Sequence, residues 1–326
     1  MRALVTGAAG FVGQWLCGAL LRGGWEVYGA RLDADALPSA SDAGAGGLTA
    51  EERGAVRWIS CNVTSQADIS RTIDDSSPDA IFHLAGVSYV PAAGSDPAAA
   101  LSVNAVSASR MLSQLAQRRR AGTLDPVVII VGSGEQYGAH EPEVQPLGER
   151  AEQRPANVYA ASKAAQEVIA LQSHRADGVR VIATRPFNHS GRGQSARFVI
   201  PALARRALAL RGVPGGVLPL GNTTPIRDFL HVEDVVRAYI LLAERGEAGG
   251  VYNIASGKGV SIGELASRIL AIAGTDASLE SDPALVRSVD VPILVGDPSR
   301  LRDATGWAAE HSLENIIEDV IRAAAH

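Results

Sequence analysis

Short apolar runs alternate with stretches of helical periodicity from the first residues onward. Ala3-Leu4-Val5 precedes an amphipathic segment over 11–22, Val27-Tyr28 precedes a loop, Val56-Arg57-Trp58-Ile59 precedes 65–74, and Ala80-Ile81-Phe82 precedes 97–118. The run continues with Val127 to Val131, a helical stretch near 157–175, and Val179 to Ala183. Strand followed by helix, repeated, predicts an α/β fold: a doubly wound parallel sheet with helices on both faces. Two mononucleotide-binding halves are complete by about residue 185.

Beyond that point the texture changes. Gly/Pro-rich stretches around 189–195, 212–227 and 283–298 read as loops, with helices near 198–211, 232–244, 261–273 and 312–324 between them. The expected division is a dinucleotide-binding domain over 1–185, to which some later segments return, and a smaller, mainly substrate-binding part over 186–326. The stretch 33–54 is rich in Ala, Ser, Asp and Gly without clear periodicity, and is expected to be a flexible insertion after the second strand. No internal repeat is visible.

Composition narrows the classes. With 326 residues and 46% apolar content the chain has a full-sized core, as one large domain or two close-packed ones. The net charge of −5 carries no block of like charges, which argues against a nucleic-acid partner. Arg118-Arg119-Arg120 reads as the solvated end of a helix. No apolar run approaches the ~18 residues of a membrane span, and the chain starts on a strand, so a cytoplasmic protein with no membrane partner is expected. Cys17 and Cys61 are too few for a metal site or a disulfide framework and read as core residues.

The candidate chemistry begins at Thr6-Gly7-Ala8-Ala9-Gly10-Phe11-Val12-Gly13, a G-x-x-G-x-x-G turn between the first strand and the first helix. Gly7, Gly10 and Gly13 permit a tight turn and close approach of backbone N–H groups to a pyrophosphate, with the helix N-terminus adding partial positive charge. Phe11 and Val12 belong to the same cofactor-binding turn. At the end of the second strand, where an NAD site would place an acid, stands Arg31. An arginine there pairs with a 2′-phosphate, so the expected cofactor is NADP(H), with Asp33 two residues on as the contrary signal.

Tyr159-Ala160-Ala161-Ser162-Lys163 lies on a helical segment, where positions i and i+4 share a face. A nearby ammonium would lower the phenol from its usual pKa of about 10, making Tyr159 a usable acid or base. Lysine occurs in the chain only at 163 and 258, and one of the two stands here. Upstream, Gly132-Ser133-Gly134-Glu135-Gln136-Tyr137-Gly138 follows the strand Val127 to Val131, and places the Ser133 hydroxyl where it could bond the substrate oxygen that Tyr159 contacts.

These three motifs, in this order and spacing, resemble the extended short-chain dehydrogenase/reductases, across essentially the whole chain. The resemblance implies a Rossmann-type fold, Ser133, Tyr159 and Lys163 as catalytic residues, and a cofactor lined also by Asn62-Val63 and Leu84-Ala85-Gly86. Arg185-Pro186-Phe187-Asn188-His189 with Gly191-Arg192-Gly193-Gln194-Ser195 is similar to the nucleotide-sugar branch, which implies that Asn188 binds near the sugar phosphate. Two further stretches, around Arg227 and Arg287, are similar to those whose arginines clamp the diphosphate. The wording of these segments, and of Val291-Pro292-Ile293-Leu294 through Trp307, is most similar to GDP-6-deoxy-4-keto-mannose reductases. That implies reduction by NADPH of the C4 ketone of a GDP-4-keto-6-deoxyhexose to GDP-D-rhamnose, and a homodimer through segments 97–118 and 157–175. Arg192 and Ser288 stand where this pattern has proline. Glu135 occupies the place of the base in GDP-mannose 4,6-dehydratases, which keeps that enzyme and the 4-epimerases as alternatives. A non-catalytic NADP-binding sensor is the alternative of another class.

Overall fold

The structure is a computed structural model that describes residues 1–32, 47–285 and 291–325. Among the described residues six strands lie before residue 187: β1 (Arg2–Thr6), β2 (Glu26–Arg31), β3 (Arg57–Ser60), β4 (Ala80–His83), β5 (Val127–Val131) and β6 (Arg180–Pro186). The second half adds β7 (Asn188–Ser190), β8 (Val217–Leu220), β9 (Ile226–His231), β10 (Val251–Ile254), β11 (Gly259–Ser261), β12 (Ser278–Ser281) and β13 (Ile293–Leu294). Seven of them form one sheet in the order β10-β6-β5-β4-β1-β2-β3, parallel throughout. The order reverses between β1 and β4, where Thr6 pairs with His83. This is the doubly wound Rossmann arrangement, and the crevice outside the carboxyl ends of β1 and β4 is where such sheets bind ligands.

The pleat sorts side chains onto two layers. Ala3 and Val5 of β1 and Ile129 of β5 meet Leu16 and Leu20 of the helix Phe11–Arg22 and Val235 and Tyr239 of the helix Val232–Arg245. Their alternates Leu4, Val128 and Ile130 meet Ile69, Met111, Leu112 and Ala170, from the helices Gln66–Ser76, Ser107–Arg120 and Val158–Asp177. Each Val, Leu, Ile or Met side chain among them, removed from water, contributes about 1.5–3 kcal/mol. A third core, with Leu203, Leu265, Ile269, Ile316 and Ile317, belongs to the C-terminal part. There β9 pairs with β7 and β13 in parallel and with β11 antiparallel, and β8 pairs with β12.

Several local expectations differ from the structure. The Gly/Pro-rich stretches read as loops contain β8 and β13 and overlap β7 and the start of β9, because short strands can be stabilised by partners distant in sequence that override weak local propensity. The expected insertion over 33–54 ends in the helix Ala50–Ala55, started by a reciprocal Thr49–Glu52 capping box; residues 33–46 lie outside the described residues. The helix expected over 97–118 is interrupted by a wider, π-type turn at Ser102–Val106. Cys17 and Cys61 are both buried, as expected. Among the described residues no helix is long and apolar enough to cross a membrane.

Candidate active site

The turn after β1 shows why glycine is required at two places. Gly7 has φ +69°, and a Cβ there would stand 2.9 Å from the backbone nitrogen of Ala85. A Cβ on Gly13 would lie 2.2 Å from the carbonyl oxygen of Gly7, so only glycine lets the helix press onto the turn. The helix Phe11–Arg22 starts at Gly10 with no capping side chain and no acidic residue in its first turn. Its leading amides are left to an anionic ligand, which fits the pyrophosphate of a dinucleotide.

The other expected cofactor residues ring the same crevice. Arg31, buried at the end of β2, holds its guanidinium 5.0 Å over the Trp58 ring. Beyond β3, the Asn62 side-chain Oδ1 accepts from the Thr64 amide (3.0 Å) and hydroxyl (2.7 Å), while the Asn62 backbone N–H donates to Asp68 (3.0 Å). Val63 packs on the adjacent core. Beyond β4, the Ala85 amide donates to the Thr6 hydroxyl (3.2 Å) next to Leu84. A Cβ on Gly86 would come within 2.8 Å of Asn104 Oδ1 and 3.4 Å of Lys163 Nζ, so this loop runs directly alongside the lysine.

Ser133 follows β5 and caps a single tight turn, its hydroxyl accepting the Glu135 amide at 3.2 Å. The Tyr159 phenol lies near the same hydroxyl, on the helix Val158–Asp177, which is started by Asn157 accepting the Ala160 amide at 2.9 Å. Lys163, one turn on, donates to the Val131 carbonyl (2.7 Å) and to Gln166 Oε1 (3.0 Å). Burial lowers its pKa to about 8. The tyrosine behaves otherwise than the sequence suggested: burial pushes its phenol up to about 12, with the nearby Ser133 hydroxyl opposing and the Glu135 charge reinforcing the rise. Desolvation dominates, and the Lys163 ammonium is directed to the Val131 carbonyl and Gln166. Tyr159 is therefore held as a phenol. Glu135 lies beside it, partly exposed, with Asn157 Nδ2 at 3.4 Å from its carboxylate.

Asn188 on β7 pairs with Phe229 of β9, and strand alternation puts Arg227 on the same face as Phe229. Arg227 Nη1 also bonds the Ile226 carbonyl at 2.9 Å. Asp228, pointing the other way, is buried and accepts from Ser256 and Gly257, tying β9 to the loop after β10. The stretch after β7 leans on the first helix. His189 stacks on Phe11 (6.4 Å between centroids, 9° between planes), and the Arg192 carbonyl accepts from Trp15 Nε1 at 3.2 Å. Arg287 lies outside the described residues.

A family model described as GDP-mannose 4,6 dehydratase matches residues 4–320. The chain belongs to that family. It is 38% identical over 245 residues, 75% of this chain and 79% of the other, to a GDP-6-deoxy-D-mannose reductase of Pseudomonas aeruginosa. It is 26% identical over 307 residues, 94% of this chain and 92% of the other, to a GDP-6-deoxy-D-talose 4-dehydrogenase of Aggregatibacter actinomycetemcomitans. A solved structure of RMD from Pseudomonas aeruginosa, complexed with NADPH, superposes with a TM-score of 0.80 at 30% identity, covering 99% of each chain.

Two features of this family member escaped the sequence. Asn104, fully buried in the π-type turn, accepts the Val87 amide (2.8 Å) and donates to the Val87 carbonyl (3.1 Å) and the Ser162 hydroxyl (2.8 Å). It fastens the loop after Gly86 to the helix of Tyr159 and Lys163. His231, Glu233 and His311 cluster with ligand atoms within 4.8 Å of one another. The two rings, however, stack face to face at 4.4 Å, and each Nδ1 is engaged, by the Glu233 amide and by Asp234. In-plane lone pairs of stacked rings do not converge on one ion, so the arrangement does not fit a metal.

Proposed function

We propose that the protein uses NADPH to reduce the C4 ketone of a GDP-4-keto-6-deoxyhexose to a GDP-6-deoxyhexose, GDP-D-rhamnose in the direct reading. The observation that carries it is the Ser133–Tyr159 pair, with a phenol held protonated beside the lysine and the glycine loop of the crevice. Support comes from the similarity to the Pseudomonas aeruginosa reductase and to the NADPH-bound RMD structure.

The cofactor, when bound, supplies hydride. Gly7, Gly10, Phe11, Val12 and Gly13 would hold its pyrophosphate, Arg31 its 2′-phosphate, and Asn62, Val63, Leu84, Ala85 and Gly86 its adenosine and nicotinamide ends. Ser133 donates a hydrogen bond to the C4 carbonyl oxygen, polarising it, and Tyr159 gives that oxygen its phenolic proton as charge develops there. Lys163, an ammonium below about pH 8, orients the nicotinamide ribose and offsets the charge left on Tyr159. Asn188, Arg227 and Arg287 take the sugar diphosphate as charge-assisted donors. In this reading residues 1–185 carry mainly the cofactor and 186–326 mainly the sugar nucleotide. The protein would act in the cytoplasm as a homodimer. Leu101 (41% exposed), Val106 (41%) and Val168 (58%) offer apolar surface for pairing the helices around 97–120 and 158–177.

Glu135 beside Tyr159 favours a second reading, in which it is the base of a GDP-mannose dehydratase and the cofactor is restored within each turnover. One experiment separates the two. The purified protein is given GDP-4-keto-6-deoxymannose, made in place from GDP-mannose by a separate dehydratase, while NADPH absorbance is followed and the sugar identified by NMR. Stoichiometric NADPH loss with a GDP-6-deoxyhexose product is expected. No NADPH loss, with GDP-mannose itself converted when the helper enzyme is omitted, would overturn the reduction in favour of Glu135 as base.

A further inference from the structure

Behind the turn that presents Ser133 lies a polar network sealed from solvent. Gln136, Glu167 and Arg185 are 0%, 3% and 4% exposed. The Ser133 amide donates to Gln136 Oε1 at 2.7 Å. Gln136 Nε2 in turn donates to Glu167 Oε2 at 2.9 Å. Arg185 closes on the same carboxylate through two bonds, Nε to Oε2 at 2.8 Å and Nη2 to Oε1 at 2.6 Å. Gln153 Nε2 adds a fourth donor at 2.7 Å. Arg185 Nη1 continues to the Tyr137 hydroxyl (2.8 Å), which donates to Asn253 Oδ1 on β10 (2.7 Å).

We propose that Gln136, Glu167 and Arg185 are positioning residues for the reaction, aiming the Ser133 hydroxyl at the substrate oxygen through the bond between Gln136 and the Ser133 amide. The argument is geometric. Glu167 stands one turn beyond Lys163 on the helix that carries Tyr159, so the network ties the turn bearing Ser133 to the element bearing its proton-donating partner. The carboxylate takes four donors on two oxygens, which leaves it no freedom to rotate, and a planar guanidinium paired with it at two points fixes the plane as well. A buried ion pair adds little net stability over apolar packing of equal volume, but it does specify one geometry. The fit is tight at the near end: a Cβ on Gly132 would stand 2.3 Å from Gln136 Oε1, so the amide fills the space directly under the turn. The Ser133 hydroxyl already accepts the Glu135 amide, so its proton points wherever the turn's backbone directs it.

This inference rests on the proposed reductase reading. Gln136→Met keeps the side chain's length and removes all three of its side-chain hydrogen bonds, the third being Nε2 to Gln153 Oε1 at 3.2 Å. A displacement of ~1 Å at a reacting group costs about 100-fold, so kcat is expected to fall by about 10- to 100-fold, with KM for the keto sugar and Kd for NADPH within about twofold of wild type. The decisive readout is the cycle with Ser133→Ala: if Gln136 acts through Ser133, the Gln136→Met effect vanishes in the Ser133→Ala background. An equal loss in both backgrounds, or a folded Gln136→Met protein with wild-type kcat, overturns the proposal. Should Gln136→Met fail to fold, Glu167→Gln, which preserves volume, goes through the same cycle with the same expectation. A wild type that oxidises no NADPH but converts GDP-mannose defeats the reductase reading alone, and the cycle is then run on that conversion.

Discussion

His83 ends β4 with 1% of its surface exposed, its Nδ1 2.9 Å from the Thr6 hydroxyl and its Nε2 3.3 Å from that of Ser107. Burial first, and the facing Lys163 ammonium second, lower its pKa to about 3. In the unfolded chain the same imidazole titrates near 6.5. Between those two values the unfolded state binds a proton that the folded state refuses, so stability is full above pH 6.5 and is lost as the pH falls. Each unit is worth about 1.4 kcal/mol, so acidification from pH 7.5 to 5.0 removes about 2 kcal/mol through this one group. Urea unfolding of wild type and His83→Gln at pH 7.5, 6.0 and 5.0 reads it directly. Carboxylates titrate alike in both proteins, so the stability difference between the two should shift by about 2 kcal/mol in the variant's favour at pH 5.0. Two parallel pH profiles would refute the reasoning, because they would mean that His83 is not held neutral between the hydroxyls and the lysine.

Tyr159→Phe should lower kcat by about 10²–10⁴-fold while NADPH still quenches or transfers fluorescence with unchanged affinity; retained turnover would remove Tyr159 as the proton donor. Arg31→Ala loses the charge-assisted pairing with a 2′-phosphate, worth about 1.5–3 kcal/mol, so NADPH should bind roughly tenfold or more weakly with NADH unaffected. Equal losses for both cofactors would show that Arg31 supports the fold beneath Trp58 and not the phosphate. Val168→Glu puts a charge at the centre of the proposed helix pairing, and light scattering should then report a monomer where the wild type is a dimer; a wild type already monomeric would dispose of that interface.

How much of this was legible depends on the distance over which each feature is made. The glycine turn and the Tyr159–Lys163 spacing each lie within one local unit, where spacing sets the geometry, so their placement at a helix start and along one helix was legible. The alternation that sent Ala3 and Val5 to one layer and Leu4 to the other was equally readable, because the pleat has a period of two. The strands inside the Gly/Pro-rich stretches were not, since β9 exists by virtue of partners at 188–190, 259–261 and 293–294. Asn104 is a sharper case. As one polar residue in a helical run it carries no signal, and its importance arises only when a π-type turn aims it at Val87 and Ser162.

The tyrosine shows why a correct motif still left its chemistry misread. Spacing alone puts a phenol and an ammonium on one helix face, from which a lowered phenol pKa follows if both stay in a watery medium. The fold buries them, and the electrostatics are then governed by desolvation and by what the lysine reaches. Nζ settles on the Val131 carbonyl and Gln166, and Tyr159 stays a phenol. For reduction this is the useful state, because an acid must carry its proton to the oxygen at the moment charge develops there. The same burial makes the site depend on directional bonds from residues 136, 153, 167 and 185, spread over four segments. No pattern along the chain marks them, yet they govern where the Ser133 hydroxyl points. Catalytic identity in this crevice is therefore local in sequence, while catalytic alignment is a property of the assembled core.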